Sequence, residues 1–347
     1  AQMNVIEFHT WNARKDRIER AMNLLKKHGE DLCKTMAADF GSRSIQQSMI
    51  TDIASTVGFG HYCLKNLASW SKPERRKVQF PLGLLGAKAE VRYEPKGVIG
   101  ILSPWNFPVQ LAFGPLMQVL AAGNRAMIKP SEFTERTSEL MAQLTAEYFA
   151  PEEVAVVTGS PEVAAAFSSL PFDHLVFTGS TATGRRVMQA AAANLVPVTL
   201  ELGGKSPAIV CDDYPVEQAA ARLATGKWFN GGQTCIAPDY VLLVGRSRRD
   251  ALVQALRAQV AARYGDLSDA GDYTRIINDG QFARLDGYLD DARQRGHEVV
   301  PLAAHHDRAQ RLFAPALVLE PGDEAKVMQD EIFGPILPIR TGASLDE

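Results

Sequence analysis

The chain has 347 residues, with 37 Lys or Arg against 40 Asp or Glu, for a formal charge of −3. At roughly 150 residues per domain, that length predicts two domains or one large α/β unit with an insertion. A composition of 46% hydrophobic and 22% charged residues excludes an intrinsically disordered chain, and a near-balance without long runs of one sign argues against a nucleic-acid groove or a polybasic membrane face.

The first seventy residues read as helical. Ile18, Ala21, Met22 and Leu25 fall on one helical face, and the pattern resumes at Leu32, Met36 and Phe40 until Gly41 stops it. Met49, Ile53, Val57, Leu64 and Leu67 predict a second helical stretch. Around Val78 the period changes to two. Ala89, Val91 and Tyr93 alternate with Glu90, Arg92 and Glu94, which predicts a strand with one wet face. The turn Leu82-Gly83-Leu84-Leu85-Gly86 before it predicts a projecting hairpin.

From Gly97 onward, short apolar runs alternate with helical stretches. Strands are expected at 98–102, 126–128, 154–157 and 175–177, with helices near 110–122, 135–148, 163–168 and 184–193. That alternation is the βαβ rhythm of a parallel sheet covered on both faces. A further strand at 196–202 leads into Gly203-Gly204, read as the boundary between two α/β domains. Beyond it, strands at 208–210 and 240–244 bracket a helix at 216–229, and another helix follows at 248–263.

Several residues could carry chemistry. Cys235 follows Gly231-Gly232-Gln233-Thr234, a context expected to form a bend where backbone N–H groups approach the sulfur or its ligand. The blander reading is a small buried hydrophobe, which is the expectation for Cys33, Cys63 and Cys211. Four scattered cysteines without a CxxC pair give neither a disulfide scaffold nor a zinc site. With no run of 18 apolar residues and no basic-then-apolar start, the expectation is a soluble, reduced, cytoplasmic protein.

Glu201 lies at the carboxyl end of its strand, where α/β sheets place ligand-contacting groups, although solvated strand-end acids are common. Asn106 sits in Pro104-Trp105-Asn106-Phe107-Pro108, a loop whose prolines would present the amide in a set orientation, as an oxyanion donor requires. A turn asparagine is the alternative. The run Phe177-Thr178-Gly179-Ser180-Thr181-Ala182-Thr183-Gly184 leads from strand to helix, and its exposed N–H groups suit a phosphate or an ordinary cap. It is neither GxGxxG nor a Walker A loop. Lys129 and Glu132 end another strand and could bond ribose hydroxyls, with a surface ion pair as the default. His305-His306-Asp307 lacks a second ligand cluster, so no metal is expected.

Together these stretches resemble the NAD(P)-dependent aldehyde dehydrogenase superfamily. The matching motifs are PWNFP at 104–108, KPSE at 129–132, FTGSTATG at 177–184, ELGGKSP at 201–207, GQTC at 232–235 and EIFGP at 331–335. GQTCIAPDYVL is similar to the class 3 branch, with bacterial coniferyl aldehyde dehydrogenases the nearest likeness. The resemblance implies an α/β fold with a Rossmann-like NAD domain over 1–76 and 96–202, an oligomerisation hairpin over 77–95 and a catalytic domain over 203–347. It implies Cys235 as nucleophile, Asn106 as oxyanion donor and Glu201 as the base that hydrolyses the thioester. It implies further that Lys129 and Glu132 contact the adenosine ribose, that Gly179 and Ser180 meet the pyrophosphate, and that Glu331 and Phe333 lie at the nicotinamide end. Trp105, Ser131 and Leu202 are the remaining cofactor contacts it implies.

The expected cofactor is NAD, with NADP also accepted, and the expected partners are an aromatic aldehyde of coniferyl type and a second copy of the chain. A medium- or long-chain aliphatic aldehyde is the alternative substrate. Two readings rival this one: an acylating dehydrogenase, which the presence of Glu201 disfavours, and a catalytically silent scaffold, which the joint presence of Cys235, Asn106 and Glu201 disfavours. The family continues well past EIFGP, whereas this chain stops at Glu347, so an incomplete catalytic domain is expected.

Overall fold

The computed structural model describes residues 10–267 and 271–344. Two compact units emerge, one formed by Ala1–Cys33 with Met49–Glu201 and the other by Lys34–Ser48 with Leu202–Glu347.

The predicted N-terminal helix is a single element, Trp11–Phe40. Ile18, Ala21, Leu24 and Leu25 are completely buried along one side, and Gly41 at φ +81° ends it in the left-handed conformation that favours glycine. The second stretch departs from a plain helix. A π-helical segment, Met49–Ala54, lies between Ile45–Ser48 and Ser55–Trp70. Hydrophobic spacing does not reveal such a widened turn, and such turns often serve functional positions.

A hairpin forms from β1, Glu74–Arg76, and β2, Ala89–Val91, paired antiparallel with Arg75 opposite Glu90, so its first strand lies before the expected span of 77–95. Its half-buried character is corrected: every residue of both strands is exposed. Two three-residue strands are too short to cover each other, so the period-two alternation marks pairing here and no buried face.

The first unit is built on a five-stranded sheet in the order β5-β4-β3-β6-β7. The strands are β3 Val98–Leu102, β4 Arg125–Lys129, β5 Val154–Val156, β6 His174–Gly179 and β7 Val198–Leu202. The pairs β3–β4, β3–β6 and β4–β5 are parallel. Helices Gln110–Ala121, Glu135–Tyr148, Pro161–Ser168 and Thr181–Ala192 alternate with them, as a parallel sheet requires. One cluster joins Leu102, Leu175 and Phe177 of the sheet to Phe167, Val187 and Ala191 of its helices. The order reverses at β3, whose two neighbours are reached by connections running in opposite directions. That makes the carboxyl ends of β3 and β6 the switch point where open α/β sheets bind ligands.

The second unit carries another five-stranded sheet, β10-β11-β12-β9-β8. Its strands are β8 Pro207–Val210, β9 Tyr240–Val244, β10 Glu298–Pro301, β11 Ala316–Leu319 and β12 Ile336–Gly342. Only β10 runs antiparallel to its neighbour. Helices Val216–Trp228 and Arg249–Tyr264 cover one side with Leu223, Trp228, Leu252 and Leu256. Helix Asp279–Gln294 packs Phe282 and Leu285 with Phe313 and Ile332. Among the described residues, no helix is long and apolar enough to cross a membrane.

Candidate active site

Several of the predicted positions lie at the carboxyl ends of strands of the first sheet. Asn106 lies just beyond β3 and is buried, with Trp105 half-buried beside it. The loop leads into the helix Gln110–Ala121, whose first N–H groups need acceptors. Asp52, buried in the π-helical segment, supplies one. Its Oδ1 accepts from the N–H groups of Val109 and Gln110, each at 3.2 Å. This acid from a distant segment fixes the end of the Asn106 loop, and nothing in the local sequence points to it.

Across the switch point, Gly179 ends β6 and Ser180 caps the helix Thr181–Ala192 by accepting from Thr183 N–H at 3.3 Å. An added Cβ at Gly179 would lie 2.6 Å from the end of the Phe177 ring, so a side chain there would require the ring to move. At the end of β4, Lys129 donates to Glu132 at 3.2 Å. The default of a surface pair fails, because Lys129 is only 2% exposed. Ser131 uses its hydroxyl to accept from Phe133 N–H at 3.2 Å, capping the short turn that holds Glu132. A capped helix start at the switch point and a ribose-suited Lys–Glu pair on the neighbouring strand fit a dinucleotide. Glu201 is exposed near the carboxyl end of β7 in the same unit.

The second unit supplies the remaining positions. Leu202 is exposed at its start. Cys235 is exposed, whereas Cys33 and Cys63 are buried. Its loop is forced by three consecutive left-handed residues, Asn230, Gly231 and Gly232, at φ +52°, +61° and +74°. A side chain at Gly232 would meet the Gly334 carbonyl oxygen at 2.3 Å. Beneath the loop, buried Gln233 donates to the carbonyls of Asn230 and Arg275 and accepts from Ile277 N–H, each at 3.0 Å. Asn230 donates back to the Gln233 carbonyl at 3.1 Å. Thus Asn230 and Gln233 are structural members of the site; the glutamine belongs to the GQTC motif, but spacing alone assigned it no role.

Glu331 and Phe333 occupy a segment held at several points. Ile332 N–H donates to Asp239 Oδ1 at 3.0 Å, and the Trp228 indole N–H donates to the Pro335 carbonyl at 3.3 Å. Phe333 adopts φ +48°, an uncommon conformation for a bulky residue. Burial, followed by the nearby Asp239 charge, raises the Glu331 pKa, while a bond from Gly204 N–H opposes the shift. A Cβ at Gly203 would lie 2.1 Å from Glu331 Oε2, so the carboxylate sits against the diglycine step. His306 is a packing residue, lying between Phe282 and Phe313 with its Nε2 3.4 Å from Asp286. Among the described residues, no group of three or more His, Cys, Asp or Glu could hold a metal.

Comparison with known proteins gives the family and the fold. The model of the aldehyde dehydrogenase family matches residues 3–347. The coniferyl aldehyde dehydrogenase of Pseudomonas sp. is 48% identical over 337 residues, which span 96% of this chain and 69% of that protein. The 4,4'-diaponeurosporen-aldehyde dehydrogenase of Staphylococcus aureus is 38% identical, over 96% of this chain and 71% of its own length. Among solved structures, substrate-bound S. aureus AldH superposes with a TM-score of 0.90 at 37% identity, covering 98% of this chain and 72% of that one. The NAD+ complex of Mycobacterium tuberculosis aldehyde dehydrogenase gives 0.84 at 29% identity, over 96% and 68%. The motifs in order, the switch-point sheet and these likenesses converge: the chain belongs to the aldehyde dehydrogenase family, oxidoreductases that act on the aldehyde group with a nicotinamide cofactor.

Proposed function

We propose that this chain oxidises an aromatic aldehyde of coniferyl type to the carboxylic acid, with NAD preferred over NADP. The observation that carries the reading is Cys235, an exposed thiol on a left-handed glycine turn braced from below by Gln233. As thiolate it attacks the aldehyde carbon. The Asn106 amide and the Cys235 backbone N–H donate to the oxyanion, at about 2.7–4 kcal/mol per donor. Glu201 takes a proton from the water that hydrolyses the resulting thioester.

When bound, the nicotinamide cofactor supplies the hydride acceptor. Lys129 and Glu132 hold its adenosine ribose, Gly179 and Ser180 its pyrophosphate, and Glu331 with Phe333 its nicotinamide ribose and ring end. Trp105, Ser131 and Leu202 complete the contacts. In this reading 1–76 and 96–202 form the cofactor domain, 203–347 the catalytic domain, and 77–95 the arm of a homodimer. The exposed Phe80, Leu84 and Leu85 support an arm that packs against a partner.

The aromatic assignment rests on the coniferyl relatives. The S. aureus relative, named for a diaponeurosporen aldehyde, favours a long aliphatic substrate as the second reading. Initial rates of NADH formation with coniferaldehyde, benzaldehyde, hexanal and a long-chain aldehyde decide between them. The proposal expects the highest kcat/KM for coniferaldehyde and none in Cys235→Ala. Preference for the long chain supports the second reading, and turnover in Cys235→Ala overturns the mechanism.

A further inference from the structure

Beneath the segment that carries Glu331 lies a charge cluster, buried at Asp239 and Lys227 and half-buried at Lys205, that the reaction itself does not use. Asp239, just before β9, is 3% exposed. Its Oδ1 accepts from Ile332 N–H at 3.0 Å, and its Oδ2 accepts from Lys205 Nζ. Lys205 directs its remaining hydrogens to the carbonyls of Val327 at 2.8 Å and Asp330 at 3.1 Å. An ammonium has three donors, and all three are engaged here. Lys227, from helix Val216–Trp228, is fully buried with Nζ 3.9 Å from Asp239 Oδ1, and it makes no hydrogen bond to a described residue.

One carboxylate therefore ties together the ELGGK step, the strand after the Cys235 loop and both sides of Glu331. Lys205 secures the residue before Glu331, and Asp239 secures the residue after it. The glutamate is left to turn only its side chain toward Gly203 and Gly204. Burial of an ion pair is weak evidence for stability, since apolar packing serves as well or better. It is a device for fixing one conformation, and here the conformation fixed is that of Glu331.

We propose that Asp239 and Lys205 are positioning residues that set Glu331 for the nicotinamide ribose. This rests on the reading of Glu331 as a cofactor contact. Asp239→Asn removes the device with little change of shape. An amide offers one acceptor and one donor where two acceptors are needed, so either Ile332 N–H or Lys205 faces a donor.

The test compares Asp239→Asn, Glu331→Gln and the double variant. It measures NAD affinity by fluorescence quenching, amide hydrogen exchange over 330–334 in cofactor-free protein, and the KM for aldehyde. The expected result is that Asp239→Asn weakens NAD binding about tenfold, as the loss of one well-placed hydrogen bond from Glu331 to the cofactor would. It should also speed exchange at Ile332 and leave the aldehyde KM unchanged, and the double variant should be little worse than Glu331→Gln alone. Unaltered NAD affinity and exchange in Asp239→Asn, with only the melting temperature lowered, overturn the inference while Glu331→Gln still shows its effect. Multiplying effects in the double variant do the same. A silent Glu331→Gln instead defeats the cofactor role of Glu331, and the inference falls with it. Should Asp239→Asn fail to fold, Lys205→Met is judged by the same readouts, and Lys205→Arg, which keeps donors at that place, is expected to restore NAD affinity.

Discussion

Replacing Gly232 with alanine places a single methyl group where the site has least room. Gly232 sits at φ +74°, and a Cβ there would lie 2.3 Å from the Gly334 carbonyl oxygen, 2.4 Å from its carbon and 3.0 Å from Pro335 N. These are backbone atoms, so no rotamer change relieves the overlap. The left-handed conformation costs alanine about 1–2 kcal/mol, and overpacking against a fixed neighbour adds about 1–3 kcal/mol. The expected loss is about 2–5 kcal/mol, tolerable for a protein whose stability is of order 5–15 kcal/mol. To regain contact distance, either the Cys235 loop or the segment holding Glu331 and Phe333 must shift by about 1 Å, and a misplacement of that size costs roughly 10²-fold in rate. Urea unfolding and NADH formation at saturating aldehyde measure the two effects together. Gly58→Ala is the control: it lies exposed in the helix Ser55–Trp70 with nothing within 4 Å of the added methyl, and should gain about 0.5–1 kcal/mol. A Gly232→Ala protein with wild-type unfolding midpoint and wild-type rate would refute the claim that these two segments are locked together.

Glu201→Gln should permit thiolate attack but slow deacylation by about 10²–10⁴-fold, giving a burst of NADH near one per site and an acylated Cys235 by mass spectrometry; wild-type steady turnover would show that another base acts. Lys227 has its pKa lowered by burial, partly offset by Asp239, from 10.5 to about 8. Between those values the unfolded chain binds a proton that the folded chain lacks, so this group makes stability rise with pH across that window. Lys227→Met should therefore add about 1–3 kcal/mol at pH 7 and show a smaller advantage at pH 10, whereas urea midpoints that stay parallel from pH 7 to 10 would contradict the buried charge. Glu132, whose carboxylate would oppose a 2′-phosphate, predicts a higher kcat/KM for NAD than for NADP and a narrowed ratio in Glu132→Gln; equal values in the parent protein would count against it.

Local chemistry determined much of this protein by itself. Strand β3, strand β9 and the helix Glu135–Tyr148 lie where hydrophobic period and flanking turn residues put them, because buried strands and amphipathic helices are specified by side chains near in sequence. The loop positions of Cys235, Asn106 and Ser180 and the strand-end position of Glu201 could be read from glycines and prolines within a few residues and from the end of an apolar run, features that announce a loop before any contact is known. The π-helical turn was not legible, since its purpose is to deliver Asp52 to helix N–H groups 57 residues and more along the chain. Nor was the pairing of Asp239 with Lys205, whose 34-residue separation leaves no periodic trace. Lys129 looked like a surface lysine by residue type and is buried because β4 lies inside the sheet, between β3 and β5. Sequence spacing reports what neighbours along the chain require. Which charges lose their water, and which distant acceptor replaces it, is decided only when the sheet brings them together, because desolvation depends on everything packed around a group.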